Sequence, residues 1–257
     1  MEKLRLGGMA LANGVLVHGP SSWAAAVRLD GGGIEVASGA KPRVGGRVQA
    51  PFLRGPLRLA EAIALLPAVR RALPEARFAF ERPAVLGTVL VSSSLAALVR
   101  RSGAPALTRE AVVAVASLAP ALITLRGGEL ASYHGAEHVS IGSYERDEAA
   151  PKEHDRCGSH LVGPLLVFSA LANTVAAAAP RRYRRSARGV ATIGAVGAAV
   201  EVFGWMGRHP GHPFSRALAR PGHELQARFS TAEPSRAQLE VAEAALAACL
   251  AAEEART

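Results

Sequence analysis

The sequence predicts a mainly α-helical, multi-pass membrane protein with a small β-rich region near its N-terminus and an amphipathic helix near its C-terminus. Three observations predict this fold class. Short strand patterns come first, four uncharged apolar stretches occupy the middle of the chain, and an amphipathic helical pattern comes last. The mean hydropathy of +0.18 is high for a soluble protein, which favours helices in contact with lipid.

The N-terminal region, residues 1–55, is expected to be rich in β-strands. Three apolar runs indicate short strands, at residues 11–18, 23–29 and 33–38. The turns between them are predicted at Gly19-Pro20-Ser21 and at Asp30-Gly31-Gly32. Glycine- and proline-containing steps between apolar runs are typical of turns and hairpins.

The second region, residues 56–206, is predicted to hold the membrane helices. An amphipathic helix over residues 57–73 is followed by four apolar stretches, at residues 83–99, 111–125, 161–180 and 189–206. About 20 apolar residues cross a bilayer, so the third stretch is long enough, whereas the second is short and contains Pro120. A soluble bundle of Ala-rich helices is the alternative.

A single carboxylate, Glu201, lies inside the fourth apolar stretch. A charged group at membrane depth is costly and usually has a pairing or functional reason. We therefore expect Glu201 to reach the metal site predicted below, either as a ligand or by orienting a histidine.

The net charge of +9 comes mostly from arginines at the ends of apolar runs. This arrangement favours membrane lipid as the partner and argues against nucleic acid, while an assembly of identical copies stays open. The basic segments at residues 70–82 and 181–188 are both predicted to face the cytoplasm, which requires a non-crossing stretch or a re-entrant pair. The protein is then expected in the cell membrane, with its metal motif at the cytoplasmic face.

The third region, residues 207–257, combines a polar segment containing several prolines with a helix. Ser235 precedes a pattern of Leu, Ala and Val with interspersed glutamates. A serine in this position is a favourable N-cap, so an amphipathic helix is expected to begin there.

The run His134-Gly-Ala-Glu-His138 is the most informative motif, and it lies in a candidate metal segment over residues 126–160. On a helix, offsets of three and four place His134, Glu137 and His138 on one face. Two imidazoles one turn apart can share a divalent transition metal, and the carboxylate can ligate it or act as a general base. The alternative is that both histidines cap or line a polar helix face.

A second group of metal-binding residue types follows closely, formed by His154, Asp155, Cys157 and His160. His154 and Cys157 can converge on the same ion, and a thiolate beside imidazoles favours zinc among the divalent transition metals. Further roles are expected of Tyr144 and Glu145 as ligands or as partners that orient ligands, and of Arg156 in binding an anionic group.

Several other residues are expected to have no part in the site. His160 is predicted to be exposed to solvent, together with His209, His212 and His223. Cys249 is predicted to be a small buried residue.

The chain resembles the YqhQ-type family, also called DUF1385, which is described as predicted metal-dependent enzymes with multi-pass membrane segments. The resemblance rests on residues spread along nearly the whole chain: Gly7-Gly8, Gly14-Val15, Gly19-Pro20, Pro51-Phe-Leu-Arg-Gly55, Tyr133-His-Gly-Ala-Glu-His138, Tyr144-Glu145, Arg156-Cys157-Gly158, Pro221-Gly222, Leu225-Gln226, Glu233-Pro234 and residues 238–242. It implies a membrane metalloenzyme and leaves the substrate open.

Departures from the family pattern lie mainly near the N-terminus. Members usually have Gln, Glu and Arg where this chain has Met9, Asn13 and His18. A lysine commonly follows the second histidine, where Val139 stands here. If the missing Glu and Arg act on substrate in the family, activity is altered or lost in this chain.

Two functions are carried forward. The first is a metal-dependent membrane enzyme, most simply a hydrolase with a metal-activated water, in which Glu137 and Arg156 are catalytic. His134, His138, His154 and Cys157 are the candidate ligands. The second is a non-catalytic membrane scaffold or partner-binding protein with a structural metal, for which a closed sphere of four ligands would be expected.

Overall fold

A computed structural model describes residues 3–42, 48, 50–125 and 128–256. Residues 126–127, where the predicted metal segment begins, lie outside the described residues, as do residues 43–47 and 49 of the predicted β-rich region. The described chain is mostly helical, with one small antiparallel sheet before the helices.

The sheet has four strands in the order β1-β2-β3-β4. They are β1 (Gly7–Leu11), β2 (Gly14–His18), β3 (Ser22–Arg28) and β4 (Ile34–Ala40). The run predicted as one strand over residues 11–18 is in fact the end of β1, a tight turn and β2. The Asn13 side chain fixes this turn, because it accepts from Arg77 N and donates to the carbonyl oxygens of Arg28 and Glu75.

Ten α-helices are present in the described part of the chain. They are α1 (Arg54–Ala64), α2 (Leu66–Ala72), α3 (Pro83–Val99), α4 (Ala106–Ala116), α5 (Ala119–Leu125), α6 (Gly128–Arg146), α7 (Val162–Ala177), α8 (Arg184–Arg208), α9 (Pro213–Leu225) and α10 (Arg236–Glu254). Short 3-10 turns precede α3, α7 and α8, and one π-helical turn, Gln226–Ser230, follows α9.

Proline positions account for three differences from the predicted helices. The helix expected over residues 57–73 is split at Leu65, two residues before Pro67. The second apolar stretch begins earlier than predicted and is split before Pro120, because proline cannot donate the backbone hydrogen bond of a continuous helix. Helix α9 lies in a segment predicted as polar and proline-containing, and Pro213 occupies its first turn, where proline is tolerated.

Three helical segments are long and apolar enough to cross a membrane, namely Ala106–Leu125, Gly158–Ala177 and Arg181–Arg208. The shorter apolar helix Pro83–Val99 packs beside the first of them. Together they form two helical hairpins, α3 with α4–α5 and α7 with α8, joined through contacts of α4 with α7.

A buried carboxylate joins the tips of the two hairpins. Glu110 is 2% exposed and binds Arg100 at 3.0 Å and Arg188 at 3.2 Å. The basic segment at residues 181–188 therefore lies at this tip. The other basic segment lies beside the sheet, where Arg77 binds Asp30. The two basic segments thus lie near opposite ends of α3, whose caps are Arg82 and Arg100, and the membrane face that each one meets stays a prediction.

The sheet has a helical layer on each face. Side chains of β2 and β3 alternate between the two faces, as the period of two in a strand requires. Val15, Val17, Ala24 and Ala26 pack with α6 and α10, whereas Leu16 and Val27 pack with α1–α2 residues such as Leu65 and Val69. Helix α6 thus contacts both β1 and α10, with β1 against the motif residue Glu137 and α10 packed with Tyr133 and Ala136.

Candidate metal centre

Helix α6 brings the central motif to one buried face. His134, Glu137 and His138 lie one turn apart, as the spacing predicts, and Glu137 is 7% exposed. Strand β1 approaches this face very closely, since a Cβ on Gly8 would lie 2.2 Å from Glu137 Oε1. On the other side of the helix, a Cβ on Gly135 would lie 2.2 Å from the carbonyl oxygen of Ala232. The two glycines permit this packing.

Backbone carbonyls fix the two imidazoles. His134 Nδ1 lies 2.7 Å from Ser230 O, and His138 Nδ1 lies 2.6 Å from Lys152 O. A carbonyl oxygen can only accept, so each Nδ1 carries the proton and each Nε2 presents a lone pair. Metal-binding histidines are usually oriented in this way, by a carbonyl or carboxylate on the second ring nitrogen.

Cys157 completes a group of three ligand atoms. Its Sγ lies 3.5 Å from His134 Nε2, and the ligand atoms of His134, His138 and Cys157 all lie within 4.8 Å of one another. The thiol also accepts from Ser159 N, and Cys157 thereby caps the short 3-10 turn before α7. Two imidazoles and a thiol within this distance are chemically suited to a zinc-like ion.

Burial favours the uncharged forms of these groups. Burial raises the pKa of Glu137 to about 7, although nearby His134 opposes this, and it also raises the pKa of the Cys157 thiol. Burial and the neighbouring His134 lower the pKa of His138 to about 3, which leaves its ring neutral. A divalent cation among these groups would favour the carboxylate and the thiolate, so the set fits a metal ion.

His154 lies beside the three-ligand group but is engaged elsewhere. Its ring centre is 5.6 Å from that of His138. Its Nε2 lies 3.3 Å from Glu145 Oε2, and its Nδ1 accepts from Arg156 N at 3.2 Å. Glu145 also binds the Arg156 guanidinium. Glu145 therefore holds His154 and Arg156 together at the edge of the site.

Two predicted participants lie outside the site. Glu201 accepts from the Arg54 guanidinium and from Phe52 N, so this carboxylate joins α8 to α1 and does not reach the histidines. The Tyr144 hydroxyl accepts from Leu4 N at 3.3 Å and anchors the segment before β1.

The histidines outside the motif differ in burial. His160 is 2% exposed, so its predicted exposure is wrong. His209, His212 and His223 are exposed, as predicted. Cys249 is fully buried in the core between the sheet and α10, which confirms that prediction as well.

Gln226 is a site residue that the sequence reasoning missed. It is fully buried, its Oε1 accepts from His154 N at 2.8 Å, and its Nε2 donates to Ser159 Oγ at 2.8 Å. It begins the π-helical turn that ends at Ser230, the residue whose carbonyl holds His134. Only its place in the Leu225-Gln226 pair of the family resemblance pointed to it.

A cavity of about 470 Å³ opens in front of the three ligand residues. Its polar wall includes His134, Glu137, His138 and Arg156. Two of the positions at which the chain departs from the family pattern that it resembles also line the cavity, Met9 and His18, whereas Asn13 fixes the β1–β2 turn. The N-terminal strands thus form part of the site, even though they carry none of the three ligands.

The fold and the site together define a membrane protein with a candidate His-His-Cys metal centre between a small sheet and an apolar helical bundle. A family model described as "Protein of unknown function (DUF1385)" matches residues 129–252, from α6 into α10. No curated protein and no solved structure gave a match.

Proposed function

We propose that the protein is a membrane-associated, metal-dependent enzyme, most simply a hydrolase, in which His134, His138 and Cys157 hold zinc. One observation carries the proposal: the three ligand atoms converge on the wall of an open cavity. Structural zinc sites close the ion in four protein ligands, whereas catalytic sites keep one position open. A bound zinc ion would supply Lewis acidity and lower the pKa of water at the site.

The roles of the remaining residues follow from their positions. Glu137 lies beside His134, 3.9 Å from its Nε2, and faces the cavity, so it serves as the general base that takes a proton from water. Arg156 reaches the cavity while bound to Glu145, and it binds an anionic group of the substrate. Glu145 and Gln226 position His154 and the segment that carries Cys157.

A purely structural metal would require a fourth protein ligand. The sequence offers two candidates, His154 and Glu137. Both ring nitrogens of His154 have other partners, Glu145 and Arg156 N, which supports the enzyme over the scaffold. Loss of metal in Glu137→Gln would instead identify Glu137 as a ligand.

The proposal includes a place in the cell membrane, in contact with lipid and with the metal centre at the cytoplasmic face. The three apolar helices support the membrane location. Cys157 supports the cytoplasmic face, because it is a free thiol and the cytosol keeps such thiols reduced.

The test is elemental analysis of detergent-purified protein with His134→Ala/His138→Ala as the comparison. About one metal ion per chain is expected in the wild type and none in the variant, because two of three ligands are gone. His209→Ala/His212→Ala removes two exposed histidines and should keep the metal. Glu137→Gln should keep the metal and lose turnover. Equal metal content in wild type and the His134→Ala/His138→Ala variant would refute the proposal.

A further inference from the structure

The apolar part of the cavity lining indicates which class of substrate fits the site. Most of the polar residues that line the cavity come from α6 and from residues 154–159. The exceptions are His18 and Thr124. The remaining lining is largely apolar and comes from β1, from the turn before α3 and from the end of α5, and includes Leu6, Met9, Phe78, Phe80 and Leu125. One cavity therefore combines a metal-binding wall with a hydrocarbon-like wall.

The cavity lies where the apolar helices meet the sheet. Phe80 is 49% exposed and stacks on buried Phe78 with ring centres 5.3 Å apart, in the 3-10 turn that leads into α3. Leu125 ends the segment Ala106–Leu125, which is long enough to cross a membrane. Exposed leucines continue along α3, beginning with Leu86 at 57% exposure. Exposed apolar side chains thus extend along α3 from the turn that lines the cavity.

We propose that the substrate is an amphipathic lipid whose hydrocarbon chain lies against Met9, Phe78 and Phe80 and whose hydrolysable polar group lies at His134 and Glu137. This inference rests on the proposed metal-dependent function and names its substrate class. The volume of about 470 Å³ is within the range of roughly 300–1,000 Å³ that is usual for small-molecule sites. An entirely polar substrate would leave the apolar wall unused.

Alkyl hydroxamates of increasing chain length test the inference, because the hydroxamate group chelates zinc and no reaction is required. Dissociation constants are measured by calorimetry on zinc-loaded protein in nanodiscs, with empty nanodiscs used to correct for partition into lipid. Each methylene that enters the cavity should tighten binding by up to about fourfold, until the cavity is full. Affinity independent of chain length, with binding still dependent on zinc, would overturn the lipid substrate and leave the metal centre standing.

Three variants test where the alkyl chain of the hydroxamate binds. Met9→Trp fills the cavity and should weaken long-chain binding at least tenfold while leaving short-chain binding and zinc content unchanged. Phe80→Ser removes an exposed part of the wall and should reduce the gain per methylene. Val190→Trp, at an exposed position of α8 outside the cavity lining, is the matched control and should change neither long-chain binding nor the gain per methylene. If the control and the cavity variants change hydroxamate affinity equally, the alkyl chain binds outside this cavity and the inference is wrong.

The His134→Ala/His138→Ala variant separates this inference from the proposed function. It should bind no hydroxamate of any length beyond partition into lipid. If it binds the whole series as well as wild type does, the metal-dependent function fails. If it binds none and wild type shows no preference for longer chains, only the lipid substrate fails.

Discussion

Replacement of Glu137 by Gln in the metal-free protein should increase stability at neutral and alkaline pH. Burial raises the pKa of this carboxyl to about 7 from an ordinary 4.5, and this difference corresponds to about 3 kcal/mol. Below pH 4.5 the carboxyl is protonated in both the folded and unfolded states, so it imposes no cost. As pH rises to 7 the unfolded state releases its proton first, and the folded state loses stability until both are ionised.

The neutral amide of Gln avoids this cost. The advantage of Glu137→Gln should be absent at pH 4, grow between pH 4.5 and 7, and reach about 3 kcal/mol above pH 7. For a chain of this size that is a rise in Tm of roughly 6–12 °C. The measurement is thermal unfolding in detergent of metal-stripped wild type and variant across the pH range, at one scan rate.

Two further samples sharpen the experiment. In zinc-loaded protein the cation favours the carboxylate, so the advantage of Gln should shrink. Glu145→Gln serves as the control for charge removal, and it should lower stability because Glu145 binds Arg156 and His154. A metal-free Glu137→Gln variant that melts no higher than wild type at pH 8 would contradict the argument.

Three other substitutions test the packing around the site and the bundle. Glu110→Ala leaves two arginines at the hairpin tips without their carboxylate and should cost about 3–5 kcal/mol, measured as lost thermal stability in detergent. Gly135→Ala should push α6 from Ala232 and weaken zinc binding by about 10–100-fold in a chelator competition, whereas Gly158→Ala, which meets open space, should not. Ser235→Ala removes the N-cap of α10 and should cost roughly 1 kcal/mol in the same melting assay.

The central motif could be predicted from sequence because its geometry is local. Helical spacing alone puts His134, Glu137 and His138 on one face, and the N-cap at Ser235 is read from the residues that follow it. The four apolar stretches are equally local, since their length and lack of charge are properties of single segments. These parts of the prediction needed no knowledge of tertiary contacts.

Glu201 and His160 show what local patterns leave out. A carboxylate in an apolar stretch requires a positively charged partner. That partner can be a metal ion or an arginine far away in the sequence, and in this protein it is Arg54. His160 resembles an exposed histidine until α9 packs over it and Gly222 allows close contact with its backbone. Strand β1 was missed because Gly7 and Gly8 weaken the strand pattern, although Gly8 is needed for the approach to Glu137.

The contact of α6 with both β1 and α10 has a consequence for biosynthesis. Arg236 follows Arg146 by 90 residues, so the helix that covers one face of α6 leaves the ribosome roughly 5–20 s after α6 itself. During that interval the side of α6 that carries Tyr133 and Ala136 lacks its contacts with α10, while the hairpin of α7 and α8 is being made. Cells should therefore degrade chains with a defective α10 rather than accumulate them in an inactive folded form.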